Sequence, residues 1–173
     1  GLFHADSVRF NDSLKFTTLS GRSVYGGGGV MPDYFVPLDT TGDQTLLNAF
    51  YAGNIIQEYA FNYSEEQKAT LQRMGLKKFI TEFSVNDQMF SGVVNLARSY
   101  GLKLPEQLIR EGKKEVSLHL KAQIGRRVWG NAGFFPVINE MNEVLAQALP
   151  LVGKSLEILK SESAPLAKSE TRK

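Results

Sequence analysis

A chain of 173 residues is long enough for one domain with a substantial core, or one domain plus appendages. Hydrophobic residues make up 42% and charged residues 22%, and 20 basic against 18 acidic side chains leave a net charge of +2. That is ordinary globular composition without the positive field that nucleic-acid or anionic-membrane partners call for, and the absence of cysteine excludes disulfides, thiolate metal sites and a cysteine nucleophile.

The chain opens Gly1-Leu2-Phe3-His4-Ala5-Asp6, with neither a basic head nor an apolar stretch and no initiator methionine. It reads as a cut from a longer protein. No apolar run approaches the roughly 20 residues of a spanning helix, so no membrane span is expected.

Composition changes near residue 42. Before it, glycine, proline and β-favouring residues dominate; Leu14-Lys15-Phe16-Thr17-Thr18 and Ser23-Val24-Tyr25 read as strands joined at Ser20-Gly21, a hairpin signal. Four glycines follow, Gly26 to Gly29, then Val30-Met31-Pro32-Asp33 and a third extended run over Tyr34-Phe35-Val36-Pro37-Leu38. Consecutive glycines lose much entropy on ordering, so they belong where backbone takes positive φ or passes close to a neighbour. Three strands this short are marginal alone, and residues 14 to 38 should expose edges and apolar surface that can drive self-association.

After residue 42 helical patterns take over. Asp43 is a candidate N-cap for a helix from Gln44 to Ala60, with Leu47, Phe50 and Ile55 among its apolar positions. Ser64 ahead of Glu65-Glu66-Gln67 resembles a capping box opening a short helix that Gly75 ends. The run Phe79-Ile80-Thr81-Glu82-Phe83 fits helix or strand. Asp87 is a candidate cap for a helix to Tyr100, with Gly101 as its stop. Pro105 suits the first turn of a helix reaching Trp129, whose apolar face is Ile109, Val116, Leu120, Ile124 and Val128, ended by Gly130. A last helix carries Val137, Met141, Leu145 and Leu149 up to Pro150, and a short one is expected around Leu156. From Ser161 the chain has little to bury and reads as a disordered tail. The expected fold class is α+β, mostly α, with divisions at 1–41, 42–160 and 161–173.

Chemistry-bearing residues are sparse. His4 and His119 are far apart, and His119 lies within a helix where a structural imidazole is the default; no metal-ligand spacing is present, so no metal and no cofactor are expected. The glycine run fails as a phosphate loop because no Lys-Ser/Thr pair follows and Pro32 removes an amide donor. Glu140 and Glu143 are three apart on the predicted last helix and read as a solvated face. Trp129, near Phe134 and Phe135, reads first as core and second as an interaction anchor.

The segment Thr18 to Asp33, with its Gly21-Arg22 turn, Gly29-Val30 and Pro32-Asp33, resembles the end of the catalytic core of carboxyl-terminal processing peptidases, the tail-specific proteases. Ala5-Asp6-Ser7, Asn11 to Lys15 and Val36 to Thr41 fit the Bacteroidetes-type form, and Lys121 to Gly130 is similar to their helical C-terminal region. The resemblance implies a parent serine peptidase in the periplasm or cell envelope that cleaves protein substrates near their C-termini. It would use a serine nucleophile and a lysine base whose pKa a desolvated pocket lowers. An upstream PDZ domain would capture the substrate tail as an added strand. In that family both catalytic residues precede the matching segment, so none is assigned here; Gly21, Arg22, Gly29, Pro32 and Asp33 would be structural. Residues 1–41 would complete the protease core. The helical part would act in support, homo-oligomerisation or partner docking. A stand-alone helical adaptor is the alternative, and a small hydrolase using His119 a distant third.

Overall fold

The computed structural model describes residues 15–18, 21, 23–26, 36 and 44–157. The fold is α+β and mostly α, a two-stranded antiparallel sheet followed by helices. Arg22, the glycines from Gly27 to Gly29, Pro32, Asp33, the Asp43 cap and the tail from Ser161 lie outside the described residues. So do His4 and all of the third extended run except Val36. The chain divides into two compact units: one is Thr41–Met141, and the other comprises Gly1–Thr40 and Asn142–Lys173.

In the second of these units β1 (Lys15–Thr17) pairs with β2 (Ser23–Tyr25), with Phe16 opposite Val24. The expected hairpin is present. Its turn closes through a Gly21 N–H donated to the Thr18 carbonyl at 2.9 Å, and Gly21 takes φ +82°, where a side chain would be strained. The same unit holds α8 (Glu143–Ala148), a 3-10 turn at Leu149–Leu151 and helical residues 152–157 around Leu156.

The helical unit contains α1 (Thr45–Ala52), α2 (Ile55–Glu66), α3 (Lys68–Met74), α4 (Leu76–Glu82), α5 (Asp87–Ser99), α6 (Glu106–Trp129) and α7 (Asn131–Ile138). The 24-residue α6 is its axis and packs on α1, α2 and α7. Ile109, Val116, Leu120 and Ile124 are buried as the four-step spacing predicts, with Val128 packed at the edge. Leu46, Phe50, Ile55, Ile56, Phe79, Val93 and Val137 complete the fully buried centre.

Four helix boundaries differ from expectation. The helix predicted over 44–60 breaks at Gly53-Asn54, where Asn54 adopts a left-handed φ of 57°, a conformation asparagine tolerates. Asn86, not Asp87, caps α5, its side-chain oxygen accepting the Met89 N–H at 2.9 Å. Asp87 sits in the first turn and pairs with Lys113 at 2.7 Å, which holds its carboxyl below the usual carboxylate range. The predicted last helix is interrupted by a 3-10 turn at Asn139–Met141, after which the Asn142 side chain caps α8 by accepting the Leu145 N–H. Val137 is therefore buried while Met141 is exposed, and Glu140 and Glu143 fall on separate elements.

Ser64 is the fourth correction. It opens no helix: it lies inside α2, only 3% exposed, and α3 starts after Gln67. Its Oγ has no hydrogen-bond partner. A buried unpaired hydroxyl costs about 1–3 kcal/mol. Ser64→Ala is therefore expected to raise the unfolding free energy by about 1 kcal/mol in urea titration, and a lowered midpoint would mean that the hydroxyl is satisfied.

Candidate functional site

Of the motif residues only Gly21 is described, and it serves the hairpin turn. Phe16 and Val24 face each other across the two strands and so lie on one side of the ribbon; they are 58% and 41% exposed. The hairpin thus presents an uncovered apolar cross-strand pair.

Trp129 is half-buried and packs on Phe79, with ring centroids 4.9 Å apart; Phe79 in turn stacks on Phe83 at 4.8 Å. The tryptophan belongs to the packing between α4 and the end of α6. His119 is likewise held in structure: its Nδ1 and the Tyr51 hydroxyl are hydrogen-bonded at 2.8 Å, and burial lowers the imidazole pKa so that the ring stays neutral. Lys121 is only 12% exposed, donates to the Ile80 carbonyl at 2.6 Å and lies 3.7 Å from Glu140, tying α6 to α4 and to the turn after α7. Among the described residues no group of three or more His, Asp or Glu side chains could hold a metal ion.

A cleft of about 380 Å³ lies between α2 and α5, within the size range of small-ligand sites. From α2 it is lined by Tyr59, Asn62, Tyr63 and Glu66. From α5 come Gly92, Asn95, Leu96 and Ser99. Each set has spacing i, i+3, i+4, i+7, so each is one stripe of its helix, beside the stripe that enters the core. Gly92 shapes the floor. A Cβ there would meet the Tyr59 hydroxyl at 2.7 Å, so bare backbone is what lets the Tyr59 ring lie across α5. Burial raises the Tyr59 pKa, and Tyr63 and Glu66 raise it further, so its hydroxyl stays protonated as a donor. Tyr63 is raised by burial as well. Just outside the lining, the Tyr100 hydroxyl donates to both Glu58 carboxylate oxygens at 3.0 Å.

A protein-family model described as a family of unknown function (DUF8443) matches residues 46–130. The match runs from the start of α1 to the glycine that ends α6, and includes both walls of the cleft but neither strand. Comparison with curated proteins and with solved structures finds no match.

The sequence reading missed the cleft. Neither stripe is singled out by its residues, because nothing in either says that the two helices pack side by side. Gly92 inside a helix was the available signal, since an interior glycine implies close approach of a neighbour.

Proposed function

We propose that this chain is the C-terminal region of a serine–lysine carboxyl-terminal processing peptidase, acting in support, oligomerisation or docking rather than in the chemistry. The observation that carries this reading is the hairpin. It holds Gly21 of the peptidase-like segment in its turn, and it leaves the Phe16–Val24 pair uncovered on a two-stranded ribbon. A ribbon of three-residue strands is not stable alone and gains by joining a larger sheet, which is the place the resemblance gives it. The parent's serine and lysine would then lie upstream, and its substrates would be protein C-termini in the periplasm or cell envelope.

A stand-alone helical binding module is the second reading. It rests on the helical unit, in which α1 to α7 enclose a buried core of their own. An antibody against residues 44–157, used on fractionated source cells, separates the two. The expected result is a band far heavier than 19.2 kDa in the envelope fraction, with Ser-Lys peptidase sequence in its tryptic peptides. A band near 19.2 kDa whose N-terminus is encoded as a start would overturn the peptidase reading.

A further inference from the structure

The cleft between α2 and α5 has a chemical character that selects among ligands. Among the described residues Glu66 is the one charged side chain in the lining, so these residues give the site negative charge with no cation among them to offset it. That disfavours carboxylates, phosphates and sulfates. Asn62 and Asn95 add side-chain carbonyls, and the Tyr59 and Tyr63 hydroxyls add further oxygens. Leu96 and the tyrosine rings supply apolar wall, which suits an alkyl stem.

From this arrangement we infer that the cleft receives a lysine or arginine side chain presented by a partner polypeptide. The stem runs along Leu96 and the tyrosine rings, and the cationic head meets the Glu66 carboxylate and the asparagine carbonyls. Long basic side chains are built for such sites, an apolar stem ending in a charge that also interacts favourably with aromatic rings. The inference rests on the cleft alone and stands whether or not the parent is a peptidase.

The test is a titration of the full 173-residue chain, followed by amide NMR shifts, with capped Ala-Lys-Ala and Ala-Arg-Ala peptides. Saturable shifts are expected within residues 59–66 and 92–99. The norleucine peptide, which keeps the stem and lacks the charge, is expected to bind at least about tenfold more weakly. Glu66 is exposed, so Glu66→Gln leaves the fold intact and should weaken lysine-peptide binding by about tenfold. Glu65→Gln removes the same charge one residue away, outside the lining, and should change affinity by less than about twofold. Equal losses in the two variants would reduce the effect to diffuse attraction and overturn the site. So would equal binding of the norleucine peptide, or no saturation at millimolar peptide. Tighter binding of free spermidine than of the lysine peptide would overturn the polypeptide assignment.

Discussion

Gly133→Ala is expected to cost the helical unit about 3 kcal/mol or more and to lower its thermal midpoint by more than about 12 °C. The reason is the crossing of α6 and α7. A Cβ on Gly133 would lie 2.6 Å from the Gly125 carbonyl carbon and 3.0 Å from its Cα, and closer still to the carbonyl oxygen. All three are backbone atoms, so no side chain can rotate away, and relief requires α7 to move off α6. The reciprocal substitution meets the Gly133 backbone and also Phe79 Cε1 at 2.8 Å. Overpacking that a flexible side chain absorbs costs about 1–3 kcal/mol; backbone against backbone belongs at or above that range. Against a total stability of roughly 5–15 kcal/mol for a domain of this size, the loss is large. Far-UV circular dichroism melts measure it directly. Gly153→Ala is the control, because a Cβ there meets nothing within 4 Å and residues 152–157 are already helical. It should leave that midpoint unchanged. A Gly133→Ala midpoint within about 3 °C of the parent would show that the two helices are not in contact through these glycines.

These glycines also mark how far the sequence could be read. Features written within one segment were legible. Ser20-Gly21 announced the hairpin turn, the four-step apolar row from Val116 to Ile124 announced the buried face of α6, and Gly75, Gly101 and Gly130 announced helix ends, each with positive φ in the structure. Features that depend on a partner segment were not. Gly125 and Gly133 look like helix weaknesses until α7 is laid on α6, and Gly92 looks the same until Tyr59 is laid across it. Competing local signals explain the boundary errors. Gly53-Asn54 is a turn pair inside an otherwise continuous apolar pattern, and the pattern outweighed it. Ser64-Glu65-Glu66-Gln67 has cap chemistry, yet Ser64 faces the core and the junction falls at Gln67. Asn86 and Asn142 both cap helices; Asn86 was passed over for Asp87, and Asn142 fell inside the predicted last helix.

The site followed the same rule. The glycine and proline-aspartate motif is legible as a local pattern, and it supports a family resemblance without placing any reacting group in the helical unit. The cleft depends on two stripes 33 residues apart, from Tyr59 to Gly92, meeting in space. Its mixture of tyrosine, asparagine, glutamate and serine carries no apolar period that would have announced a buried or binding face.

Phe79→Ala is the second large effect, and it decides what Trp129 does. Phe79 has no solvent exposure and touches two aromatic partners, Phe83 at 4.8 Å with planes inclined by 24° and Trp129 at 4.9 Å with planes inclined by 46°. Removing a buried phenylalanine side chain costs about 3–5 kcal/mol, from lost transfer energy and the cavity left behind. Here the cavity opens where α4 meets the α6–α7 crossing, so Ile80, whose carbonyl accepts from Lys121, would shift with it. Urea unfolding should show the loss as a lower midpoint with little change in slope. Phe79→Leu refills part of the space and should recover about half of the loss. Trp129 is the single tryptophan of the chain, so its emission reports this corner alone. If Trp129 is core, Phe79→Ala shifts the emission of the folded protein to the red as water reaches the indole. If the indole acts instead as a surface anchor independent of Phe79, the emission maximum stays in place while the stability loss remains, which would return Trp129 to the interaction role the sequence also allowed.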